Sequence, residues 1–148
     1  MRFVLVVAVA TLTSIPSFAA NTPRNLDTQE LTALAARAEQ ATPKDRCYLY
    51  AQLVSATTEL AGRQLNAGDN SDASVSLKAI QDYMAKIHAG ITNDSRKLKD
   101  AQIMMRRTAF RLKEFMRDAS VTDQSAFQSA LNEMDQVQSQ MMLAVFKK

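Results

Sequence analysis

The 148-residue chain holds one histidine, His88, and one cysteine, Cys47, which excludes a metal site built from those residue types alone within one chain. His88 offers the sharpest chemistry: an imidazole in a helical core can serve as an axial haem ligand, with a methionine from another helix as the second ligand. Met84 cannot be that methionine, because a residue one turn away on the same helix does not reach the opposite haem face. No Cys-x-x-Cys-His occurs to attach haem covalently. The plainer reading sets His88 two residues before Gly90, near a helix C-terminus, where the dipole favours a cation. A carboxylate-bridged di-iron site needs Glu-x-x-His on two helices, and a single histidine excludes it. Serines and aspartates are plentiful, but there is no Gly-x-Ser-x-Gly elbow and no strand to carry one. With three glycines in all, there is no phosphate-cradling loop. Asp100, Glu114 and Asp118 lie among Arg96, Arg107 and Arg111, as surface charge pairs on a helix do, rather than as facing carboxylates in a cleft. No catalytic residue, cofactor or metal ligand is expected, and the chain reads as non-enzymatic.

Two other features carry chemistry of a weaker kind. Cys47 falls in an apolar stripe with Tyr50 and Val54, where a small buried hydrophobe is the plain reading; an odd cysteine in an oxidising compartment is also a candidate intermolecular thiol. Charge is uneven along the chain. Residues 91–119 carry 8 basic and 4 acidic groups, while the segments on either side are near balance. Lys99, Arg106 and Lys113 recur every seven residues, with Arg117 one turn further on the same flank. Ile103 and Phe110, also seven apart, lie beside them. Together these six residues are a candidate contact surface for an anionic envelope component or a partner protein helix. A solvated helix face, or apolar residues covered by the first helix or the polar leader, is the plain alternative. Nucleic acid is a poor candidate, since basic and aromatic residues do not interleave as single-strand binding requires.

The elements that must position these residues are helices. Strand signals are nearly absent, and 3 Gly with 3 Pro are too few for many short strands. Asp27 and Glu30 have capping-box spacing, with Leu26 and Leu31 at the staple positions, so a first short helix runs to about Gln40. Thr42-Pro43-Lys44-Asp45 opens a second of about 25 residues that ends at Gly68. Its two apolar stripes, Cys47, Tyr50, Ala51, Val54, Ala61, Leu65 and Leu49, Leu53, Ala56, Leu60, require neighbours on two sides. The first helix is the natural cover for the second stripe. Ala73, Leu77, Ile80, Met84 and Ile87 mark a third helix. Leu98, Ala101, Met105, Thr108, Leu112, Phe115 and Ala119 mark a fourth, started by the turn Thr92–Ser95. Ser120–Asp123 is read as the last turn, and Phe127, Ala130, Met134, Val137, Met141 and Ala144 mark the fifth helix. Short turns make the last three helices antiparallel neighbours. The expected fold is all-α, an up-down four-helix bundle with roughly 20° crossings and an additional short N-terminal helix. A stack of helical hairpins ranks second, as no period near 34 residues recurs. The apolar run Met141–Phe146 must be buried or must bind something.

The N-terminus reads as an address. Arg2, the short apolar run from Phe3 to Leu12, and small residues at Ser17 and Ala19 make residues 1–19 a signal peptide cleaved after Ala19. Residues 20–26 are a polar leader and 27–148 a single helical domain. The run is too short to be a transmembrane anchor. The expected location is periplasmic or extracellular.

Arg46-Cys47-Tyr48-Leu49-Tyr50 and Thr108-Ala109-Phe110-Arg111-Leu112-Lys113-Glu114, behind such a leader, resemble short exported all-helical proteins of acidobacterial type. The resemblance implies export and a helical fold, and it carries no catalytic residue across. Small periplasmic chaperone-like helical proteins share size and export, but their Leu-Thr-x-x-Gln signature is absent, for Leu31-Thr32-Ala33-Leu34 is followed by Ala35. The function expected is surface contact by an exported bundle; the alternative is a small-molecule or haem carrier that uses the bundle interior, with His88 as its polar handle.

Overall fold

Five stretches of 3-4 apolar spacing become five helices in the computed structural model, which describes residues 26–147. They are α1 (Thr28–Gln40), α2 (Pro43–Ala67), α3 (Asn70–Gly90), α4 (Leu98–Asp118) and α5 (Val121–Phe146). The expected signal peptide and all but the last residue of the leader lie outside the described residues. Among the described residues, no helix is long and apolar enough to cross a membrane.

Local signals account for most boundaries. The Asp27 carboxylate accepts the Glu30 N–H at 2.8 Å and the Glu30 carboxylate accepts the Asp27 N–H at 3.1 Å, closing the capping box. Leu26 and Leu31 both pack against the core, as a staple requires. Gly68 takes the left-handed conformation at φ 82°. Its N–H donates to the Leu65 carbonyl at 3.0 Å and the Asp69 N–H to the Gln64 carbonyl at 2.9 Å, the paired bonds of a Schellman ending. Two boundaries differ from expectation. Ser120 is itself the cap of α5, its hydroxyl accepting the Asp123 N–H, so the expected turn is the helix's first turn. The connection after α3 runs from 91 to 97, and α4 starts only at Leu98, behind Lys97 at φ 53°.

The periodic positions point inward as read. In α3, Ala73, Leu77, Ile80, Met84 and Ile87 are buried, and so are the seven expected α4 positions from Leu98 to Ala119 and the six expected in α5. α2 has the most buried residues of any helix, from Cys47 to Gly62, with Leu49, Leu60 and Leu65 half-buried.

The neighbour relations correct one expectation. α2 packs on α1, α3 and α4, and α5 packs on α3 and α4; among the described residues α3 and α4, although consecutive, do not pack together. The reason is the connection between them. Ser95 within it is buried, and the Arg96 N–H donates to the Lys44 carbonyl at 2.7 Å. Ion pairs Lys44–Asp94 at 3.0 Å and Arg96–Asp45 at 3.3 Å tie the same residues to the first turn of α2. This segment therefore carries the chain from the end of α3 to the start of α2, and α4 leaves alongside α2 in the same direction. Arg111 reaching Glu59 further along confirms the parallel register.

α4 sets an aromatic ring against α2 where α2 has no side chain. A Cβ placed on Gly62 would stand 2.2 Å from the Cζ of Phe115. Gly62 is thus a seat for the ring rather than a helix end, and its low helix propensity is offset by the burial of Phe115, only 7% exposed. Gly62→Ala should destabilise the protein by about 1–3 kcal/mol in urea unfolding despite alanine's better propensity, because overpacking outweighs the propensity gain. Adding Phe115→Leu should recover part of that loss. A stabilising Gly62→Ala would show that the ring yields freely.

Candidate functional site

The strongest amphipathic contrast lies on α4. At about 100° per residue its buried seam, Leu98 to Ala119, occupies one side of the cylinder. Lys99, Ile103, Arg106, Phe110, Lys113 and Arg117 fall within about 80° of one another on the opposite side. All six are exposed, Phe110 at 63% and Ile103 at 39%. α1 packs on α2, with an ion pair to α3, and leaves both apolar residues uncovered among the described residues.

The basic residues of this region divide into two sets. Arg96 and Lys97 belong to the anchored connection; Arg96 pairs with Asp45, and the Lys97 ammonium lies 4.8 Å from the Tyr48 ring centroid. Arg111 faces α2. Its guanidinium donates to both Glu59 oxygens at 2.9 and 3.1 Å and to Glu114 at 2.6 Å, and it stacks 4.6 Å from the Phe115 ring centroid. Glu59, foremost, and then Glu114 raise the guanidinium's pKa further. Lys99, Arg106, Arg107, Lys113 and Arg117 make the other set, and none of them forms an ion pair among the described residues. The pairs thus hold the helix, and the outward face keeps its cations.

Glu59 and Gly62 escaped sequence reading. Glu59 lies between the two apolar stripes of α2 and is only 9% exposed. The one signal for Gly62 was a glycine inside a helix with no cap role, a mark of close approach. A second polar group clips α1 to α3: Glu39 pairs with Lys86, whose ammonium lies 5.3 Å from the Tyr50 ring centroid. The Lys86 hydrogen bond, above all, lowers the Glu39 pKa.

The other candidates fall elsewhere. His88 is exposed and is not in the core, which corrects its placement as a handle inside the bundle. It sits about 100° around α3 from buried Ile87, in the last turn, over an open depression lined by Ile91, Gln140, Leu143 and Lys147. Cys47 is 1% exposed, so it is not placed to meet another chain. Burial pushes its thiol up to about 11 from 9.0. The Met141–Phe146 run divides: Met141 and Ala144 are buried, while Met142, Leu143 and Phe146 are exposed. No group of three His, Cys, Asp or Glu among the described residues is arranged to hold a metal ion.

No protein-family model, curated protein or solved structure matches the chain.

Two outcomes test this arrangement. Arg111→Met should cost about 2 kcal/mol in urea unfolding, less than the roughly 3–5 kcal/mol of a fully buried pair because Arg111 keeps partial access to water. Glu59→Gln in the same chain should lessen the loss, by removing the stranded carboxylate. Alkylation of Cys47 at pH 8 should run at least about 100-fold slower in the native protein than in urea, from its smaller thiolate fraction and the burial of the sulfur together. Since the folded state holds that proton more tightly, this contribution to stability is complete below about pH 9 and is lost as pH rises through about 11.

Proposed function

We propose that this protein is an exported, non-enzymatic helical bundle that works by surface contact, holding an anionic component of the cell envelope against the outward face of α4. In this reading α2 to α5 form an up-down four-helix bundle, α1 lies on α2 as the added N-terminal helix, and residues 1–19 are removed on export. Kinship with the short exported helical proteins of acidobacterial type belongs to the same proposal.

One observation carries it. Lys99, Arg106, Lys113 and Arg117 stand exposed on one helix face without an ion pair among the described residues, while Arg96 and Arg111 of the same region are paired. What sets these four apart is that they share one exposed face with Ile103 and Phe110, with no described carboxylate paired to any of them. A face with four unneutralised cations creates a local field that gathers anions, and its reach is the screening length, about 8 Å at physiological salt.

Retention in the envelope fraction is the test. The protein should stay with that fraction at low salt and be released at about 1 M salt, where screening shortens to about 3 Å. A chain with Lys99, Arg106, Lys113 and Arg117 all changed to Gln should be released at low salt. Unaltered retention of that variant would leave the stripe as a solvated face and end the proposal.

A further inference from the structure

We infer that the anionic partner is a lipid surface, with the outward face of α4 lying flat on an anionic bilayer and Phe110 and Ile103 entering between the headgroups. The inference rests on the reading of this face as the contact surface and adds the chemistry of what it meets.

Three observations point to lipid. The first is the interleaving. Lys99 precedes Ile103 by four residues and Arg106 follows it by three; Arg106 precedes Phe110 by four and Lys113 follows it by three. Each apolar side chain thus has a cation one turn away on either side, with Arg117 one turn beyond Lys113. That pattern suits a plane in which anionic headgroups overlie an apolar layer, where long basic side chains reach outward while the apolar ones sink. The second is size. From Lys99 to Arg117 the face is about 27 Å long and about 10 Å wide, or ~270 Å². A stable protein interface needs about 800 Å² on each partner, usually with an anchor seated in a pocket. The face of a single helix is convex, so a protein partner would have to bring the groove and contact surface beyond this strip. A bilayer makes no such demand, since it conforms to the helix and supplies charge wherever a cation falls. The third is charge. A second copy presenting the same face would set cations against cations, which opposes self-association through it.

The protein contains no tryptophan, so Phe110→Trp places a single indole, excited apart from the three tyrosines at about 295 nm, at an exposed point of the face. The chain from Ala20 to Lys148, which holds every described residue, is mixed with phosphatidylcholine vesicles, with or without one-third phosphatidylglycerol, and separately with polyglutamate. With the anionic vesicles the emission should shift to the blue and the protein should sediment with them at 50 mM salt; both effects should vanish at 1 M salt. Neutral vesicles should give neither. Partitioning should fall about tenfold in Phe110→Ser and several hundredfold when the four cations become Gln, at about fivefold for each. Sedimentation without a blue shift would overturn insertion and leave only charge attraction. Binding to polyglutamate, abolished by the four Gln substitutions, with none to vesicles would overturn the lipid inference and keep α4 as a contact face. Binding to neither would overturn both, and a doubled mass that Phe110→Ser returns to monomer would give the face to a second copy.

Discussion

The seat of Phe115 on Gly62, with Arg111 stacked on the ring and held by Glu59, sets the rotation of α4 about its own axis. An amphipathic stripe constrains that angle only loosely, because turning a helix by a few tens of degrees exchanges one apolar neighbour for another. A ring in a glycine notch and a two-pronged carboxylate pair tolerate much less, since each fails when its partner moves by an ångström or two. The ties Lys44–Asp94 and Arg96–Asp45 hold the other end of the same seam. With both ends held, the rest of α4 is oriented. Lys99, Arg106, Lys113 and Arg117 face outward because Arg111 and Phe115 face α2.

The pairing also explains why a buried carboxylate is tolerated in the most buried helix. Glu59 is nearly enclosed, and an unpartnered charge there would carry a large desolvation cost. Arg111 satisfies both its oxygens, and Glu114 satisfies the remaining prong of Arg111. An apolar pair in the same place could be as stable. What the ionic version adds is register, because α2 and α4 can slide along one another in a greasy seam but not past a two-pronged bond.

Much of this was legible in the sequence, and the part that was not has a physical cause. The spacing of Leu98, Ala101, Met105, Leu112 and Phe115 requires a covered side, and that side is covered. It does not say by which helix, since an apolar stripe accepts any apolar neighbour; hence the expectation that α3 and α4 would be adjacent failed. The deciding information was in residues 91–97, whose hold on α2 depends on backbone hydrogen bonding that residue types do not disclose. Ile103 and Phe110 read as facing away from the seam and do so, though their freedom from α1 required knowing where α1 packs. His88 read as the edge of a stripe, and at the end of a helix an edge position opens to solvent.

The parallel seam has a consequence for how the chain acquires its shape. The pairs that define it join residues far apart in sequence, Arg96 to Asp45 at 51 positions and Arg111 to Glu59 at 52. Each hairpin, α2 with α3 and α4 with α5, can close through a turn of a few residues, a small entropic demand. Their union cannot, for it must wait until two preformed units meet in one register. A bundle of sequential antiparallel neighbours would zip from turn to turn. This topology favours assembly from two halves, with the docking of Phe115 and Arg111 onto α2, rather than the formation of any helix, expected as the slowest step.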